Sequence, residues 1–180
     1  MELTTPRLVL REFYQTDFDS IRDYESHRDT YLFEKGVPDD RTIQDHLYQA
    51  ITWAQETPRS HYDLAVTIRP EDIVRGQVSL SLNFPDIREW EIGWRIHYKY
   101  WGKGFATEAA RCVLAFAFNE LEAHRVVAFC NVANAASVRI MSKIGMSQDG
   151  RLRETRWWNG AWQDEFVYAI LDRDWRKEQK

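Results

Sequence analysis

"YWGKGFATEA", residues 100–109, decides how the rest of this chain is read. Two glycines flank a lysine beside a bulky aromatic, and alanine-rich, helix-favouring sequence follows at once. A turn with so little side chain leaves several backbone N–H groups free to point one way, and the positive end of the helix dipole adds to them. Such a turn is suited to holding phosphate.

Working outward, Ala106, Ala109, Ala110, Val113, Leu114, Ala117 and Leu121 keep a 3.6-residue period and predict a helix over about 104–122. The strand WEIGWRIHY (90–98) precedes it and the strand RVVAFCNV (125–132) follows. A short helix over 134–143 then begins at Asn134 and ends at Gly145, a suitable C′ glycine. Upstream, RLVLRE (7–12) alternates as a strand, Asp17 caps a helix over 17–27, and a second helix covers about 41–56 after Asp39–Asp40. HYDLAVTIR (61–69) and VRGQVSLSL (74–82) form a hairpin pattern across the turn PED. RLRETRWW (151–158), the turn Asn159–Gly160 and AWQDEFVYAIL (161–171) form another. The plan is α+β, with a mixed, mostly antiparallel sheet of about seven strands, four helices and one strand–helix–strand crossover beside the quoted turn.

With 180 residues and no linker-like composition break, residues 1–180 read as one domain. Apolar residues make up 44% and charged residues 29%, so disorder is expected only in the closing RKEQK (176–180). A net charge of −4 argues against general nucleic-acid binding. The apolar runs are too short for a bilayer span and MELTTPRL lacks a signal-peptide pattern, so the expected home is the cytoplasm. Cys112 and Cys130 lack metal-ligand spacing and read as free thiols; no metal is expected. Trp90, Trp94, Trp101, Trp157, Trp158 and Trp162 fall in two short windows, either as core packing or as the wall of an aromatic cleft.

Two phosphate-binding motifs fit the opening stretch poorly. A P-loop needs four residues between its first glycine and Gly-Lys-Ser/Thr, and a dinucleotide fingerprint needs a third glycine where Thr107 stands. Together with TPRLVLREF (5–13), WEIGW (90–94), CNVANAASVRIMSKIGM (130–146) and GAWQDEFVYAIL (160–171), the stretch resembles the GNAT superfamily of acyl-CoA-dependent N-acetyltransferases, in particular its RimJ/RimL-like branch. The resemblance runs over nearly the whole chain in the expected order. It implies a central sheet splayed into an acetyl-CoA cleft. The family's Q/R-x-x-G-x-G/A falls on Trp101, Gly102, Lys103, Gly104, Phe105 and Ala106, with Trp101 departing from Gln/Arg. Main-chain N–H groups from about Gly102 to Thr107 would then hold the cofactor's pyrophosphate. The pantetheine arm would hydrogen-bond the strand backbone near Trp94 and Ile96 as an added strand does. Asn134 and Ser137 match the family's Asn-x-x-Ser/Ala element and would face pantetheine and sulfur, although Asn134 also reads as a plain helix N-cap.

Many family members carry a thiolate-protonating tyrosine at the position of Met141, so Ser137 becomes the candidate acid. An attacking amine must be neutral, at a cost near pH 7 of roughly 1 kcal/mol for an α-amine and roughly 4.6 kcal/mol for a lysine side chain. Glu91 is the candidate base, through a water, with Glu108 and His97 as weaker ones. Two have a plain alternative: Glu91 as a surface carboxylate on an alternating strand, and Glu108 as a helix-dipole partner. Asp164 is a candidate for binding the substrate amine. The acceptor is expected to be an amine-bearing small molecule or a protein N-terminus, and the protein a monomer or homodimer. The competing reading is a non-catalytic acyl-CoA-binding or regulatory domain.

Overall fold

The computed structural model describes residues 1–34 and 36–178. Eight strands form one sheet: β1 (Glu2–Thr4), β2 (Leu8–Arg11), β3 (His61–Ile68), β4 (Val74–Phe84), β5 (Glu89–Ile96), β6 (Arg125–Asn131), β7 (Ser147–Trp158) and β8 (Ala161–Leu171). Their order is β1-β2-β3-β4-β5-β6-β8-β7, and every pairing is antiparallel except β5 with β6. The helices are α1 (Phe18–Glu25), α2 (Asp40–Trp53), α3 (Phe105–Asn119), α4 (Ala135–Lys143) and α5 (Asp172–Glu178).

Alternation along the strands divides the molecule into two sides. Leu64, Val66, Val78, Leu80, Ile92 and Ile96 turn toward α3 and α4 and pack with Val113, Leu114, Phe118 and Met141. Ala65 and Val74 face the other way, onto Ile21, Tyr24, Ile43 and Leu47 of α1 and α2. In β4 burial alternates from Val74 to Ser81, but the register with β3 shifts between Val66 and Thr67, so that Val74 faces α1 and α2 while Val78 and Leu80 face α3.

The eighth strand and the fifth helix were not in the expected plan. β1 is three residues long, too short for a period, and is defined by pairing Glu2 with Arg11 and Thr4 with Val9. α5 includes residues 176–178 of the tail expected to be disordered; Trp175, 4% exposed, stacks on Phe118 with ring centroids 5.7 Å apart and anchors it. Residues 179–180 lie outside the described part. Asp17 stands at the N-cap of α1 as expected, but its side chain makes no capping hydrogen bond there: it is buried, receives two N–H bonds from Arg11 at 2.8 and 2.9 Å, and accepts the Tyr14 N–H at 2.8 Å. Asp39 does cap α2, accepting the Thr42 N–H at 2.8 Å. Among the described residues no helix is long and apolar enough to cross a membrane.

Candidate active site

β5 and β6 are paired only from Glu89↔Arg125 to Glu91↔Val127, and beyond this they part. The closed end is fastened by Arg125, whose Nη1 donates to the buried Glu89 at 2.7 Å. At the far end of β5 the His97 N–H donates to the Arg75 carbonyl at 2.8 Å. Alternation therefore directs the backbone groups of Gly93 and Arg95 to β4, and those of Ile92, Trp94 and Ile96 into the gap. A slit with one free strand edge results, and a cavity of about 700 Å³ runs through it.

Residues 102–107 form one wall. Gly102 and Gly104 have φ of +75° and +83°, a region that L side chains rarely adopt, and Gly104 is the N-cap of α3. The first N–H bond closing the helix is Glu108 to Gly104, and none of the N–H groups of Gly102 to Thr107 donates to another group among the described residues. A Cβ at Gly102 would meet nothing within 4 Å. Six consecutive N–H groups beside open space, at a helix N-terminus, fit a diphosphate.

The loop is braced from both sides. The Trp101 indole N–H donates to the Ile96 carbonyl at 2.6 Å, so this expected pantetheine contact already has one protein partner at its oxygen. Arg7 Nη1 donates to the Lys103 carbonyl at 3.1 Å, and its Nε donates to Glu108 at 2.7 Å. The Lys103 side chain is turned onto the Tyr100 ring, 5.0 Å from its centroid, and does not line the cavity. Trp94, Ile96, Trp101, Gly102, Gly104, Phe105, Ala106, Thr107, Asn134 and Ser137 all do, as does Glu91. Asn134 serves as N-cap as well, its Oδ1 accepting the Ser137 N–H at 3.0 Å.

Glu91 and Ser137 reach the cavity from opposite faces of the sheet. Ile92 packs with α3, so its neighbours Glu91, Gly93 and Arg95 face α1, where Arg95 pairs with Glu25 at 3.1 Å. Ser137 belongs to the α3–α4 side. Glu91 accepts a hydrogen bond from the Asn83 amide at 3.0 Å. Met141 is fully buried in the main core, on the face of α4 turned away from the cavity.

The weaker candidates have other employment. Glu108 accepts from the Thr5 hydroxyl at 2.6 Å and from Arg7; burial raises its pKa, but these hydrogen bonds outweigh burial and hold it below the ordinary carboxylate value. His97 is 1% exposed, its Nδ1 accepting the Lys99 N–H at 3.2 Å and its Nε2 facing Asp23 at 2.9 Å. Asp164 accepts the Glu154 N–H at 2.9 Å and pairs with Arg151 at 2.7 Å, outside the cavity, and these bonds lower its pKa. The tryptophans divide between roles: Trp90 is core, Trp94 and Trp101 line the cavity, and Trp157 and Trp162 pack edge-to-face at 5.3 Å, each more than half exposed. Both thiols are free, and burial pushes Cys130 up to about 11. The sequence reading missed Arg7 and Arg95, whose partners come from distant parts of the chain, and Glu165, whose partners stand across its own hairpin.

A model of the acetyltransferase (GNAT) domain matches residues 7–147. Over 175 residues the chain is 31% identical to the uncharacterized N-acetyltransferase YnaD of Bacillus subtilis (strain 168), a match spanning 97% of this chain and 99% of that protein. The crystal structure of a GNAT-family acetyltransferase from Bacillus anthracis superposes at a TM-score of 0.86 and 29% identity, over 96% of this chain and 99% of that one. RimL, a ribosomal L7/L12 α-N-protein acetyltransferase in complex with coenzyme A, shares the fold at a TM-score of 0.84 and 16% identity, over 95% and 98% of the two chains.

Proposed function

Because this chain belongs to the GNAT acetyltransferase family, whose acetyl donor is acetyl-CoA, we propose that it acetylates a primary amine by direct attack within a ternary complex. The amine is that of a small molecule or a protein N-terminus, in the manner of the RimJ/RimL-like branch. The observation that carries this reading is the slit itself: a phosphate cradle and a free strand edge on one side, with a carboxylate reaching in from the other. Two unpaired thiols and the need for acetyl-CoA suit the cytoplasm.

The donor supplies an acetyl thioester. N–H groups of Gly102 to Thr107 bind its diphosphate, and the edge groups of Trp94 and Ile96 align its pantetheine arm. An N–H of the same edge steadies negative charge on the carbonyl oxygen as the amine adds. Glu91 takes the ammonium proton through a water, and Asn83 fixes its carboxylate. Ser137, on the opposite face, returns a proton to the departing thiolate. A non-catalytic acyl-CoA-binding role is favoured by one feature alone, the core placement of Met141, which leaves α4 without a phenol at that position.

Titration calorimetry with acetyl-CoA, followed by a panel of amines with detection of released thiol, tests the reading. Binding with thiol release for one amine class is expected; binding without release for any amine means the non-catalytic role. Glu91→Gln is expected to lower kcat at least tenfold near pH 7, with the deficit shrinking as pH approaches the amine's own pKa. A pH–rate profile indistinguishable from the parent's would remove Glu91 as base.

A further inference from the structure

Glu165 stands on β8 opposite Asn131, is 8% exposed and lines the cavity. Its carboxylate accepts the Thr155 hydroxyl at 2.9 Å and is paired with Arg156 Nε at 2.8 Å. Arg156 also reaches Glu34 at 3.7 Å, so one guanidinium ties the β7–β8 hairpin to the segment that follows the short helical turn Arg28–Tyr31. These three side chains are held very unequally. Glu165 is fixed in the sheet, whereas the side chains of Arg156 and Glu34 are 50% and 45% exposed. Arg156 also directly follows the irregular stretch of β7 after Leu152, where Glu154 has φ +54°.

A buried carboxylate is tolerated when a cation compensates it. At Glu165 that cation can change identity but cannot be dispensed with. The surroundings favour an incoming positive charge. Asp29, Glu34, Glu91 and Glu165 line the cavity. Glu91 is bonded to an amide, and among the described residues the one basic side chain paired with Asp29 is His27 at 3.9 Å. Arg95 is committed to the buried Glu25, while Arg139 and Lys143 lie on α4, across the sheet. Among the described residues Arg156 is thus the guanidinium on the acceptor side that faces both Glu165 and Glu34, and its side chain is half exposed.

We propose that the acceptor carries a second cationic group besides the reacting amine, and that this group replaces Arg156 at Glu165 and Glu34. The inference rests on the amine-acetylation reading and names the substrate class: a di- or polycationic amine, either a small diamine or a peptide N-terminus followed by a basic residue. Glu165 and Glu34 are specificity-determining residues, and Arg156 is the resident counter-ion that an unsuitable, singly charged acceptor fails to displace.

The test is calorimetric binding to the protein saturated with coenzyme A, comparing 1,5-diaminopentane with pentylamine, and the tripeptide Ala-Lys-Ala with Ala-Gln-Ala. The dicationic member of at least one pair is expected to bind tenfold or more tightly; the pair that shows the gain identifies the source of the second charge. Glu165→Gln should abolish the preference and Arg156→Gln, which vacates both carboxylates, should increase it severalfold. Glu34→Gln, at an exposed position, should reduce it and serves if Glu165→Gln fails to fold. Equal affinities within both pairs, or a preference that survives at Glu165→Gln and Glu34→Gln, would overturn the proposal. Acetylation of pentylamine without any dication preference leaves the transferase reading standing and removes this one. Dication-selective binding with no acetylation of any amine would overturn the transferase reading and with it the acceptor assignment, leaving only a dication site at Glu165 and Glu34.

Discussion

At position 101 a tryptophan stands where the general superfamily pattern has Gln or Arg, and its indole reaches back to the Ile96 carbonyl. The proposed diphosphate binding therefore rests on the loop's main chain, and the side chain at 101 secures the loop to β5. The two glycines behind it answer to conformation rather than crowding. Neither would place a Cβ closer than 3.5 Å to a protein atom, yet both have positive φ. Gly102→Ala is accordingly expected to cost about 1 kcal/mol of stability while weakening acetyl-CoA binding at least tenfold. Calorimetry set beside thermal melts checks this, and a loss of affinity no larger than the loss of stability would contradict it. These positions were legible in the sequence because a backbone turn is a local property. Arg7 was not, since its partners Lys103 and Glu108 lie 96 and 101 residues away. Nothing near residue 7 signals them.

Helices and strands with a clear period were read to within a few residues, as in α2 and α3, because one buried face dictates the pattern. The elements missed, β1 and α5, owe their existence to a neighbour: a three-residue strand paired on β2, and a tail pinned by Trp175. β3 carries a further tension. Its Asp63 sits on the α1–α2 face opposite Ser79, and burial pushes the carboxyl from its ordinary 3.8 up to about 6, against the pull of His61 and Arg59. The folded state therefore binds this proton more tightly than the unfolded chain does. Stability falls as pH rises from about 4 through about 6, and the full penalty is present above that. Asp63→Asn should stabilise the protein by on the order of 1–3 kcal/mol at pH 7 and have no effect below about pH 4. Denaturant melts at pH 4 and pH 7.5 check it; an equal gain at both would show that the charge is not the cause.

Over the whole molecule, the sheet separates two chemistries. The cradle of α3 and the start of α4 lie on one face, while Glu91, Arg95 and the hairpin's Arg156 serve the other. The first half could be read from sequence, being short motifs with local geometry; of the second only Glu91 was named, because Arg95, Arg156 and Glu165 find their roles through an assembly of β5, β7, β8 and the turn after α1. The slit between β5 and β6 joins them, and for the proposed reaction it has a kinetic consequence. In the proposed ternary complex donor and acceptor enter by separate doors, so neither would have to arrive first and neither product would stand in the other's exit. Initial rates measured against both substrates should give intersecting lines with random-order product inhibition. A compulsory sequence would mean that one door opens only after the other is filled.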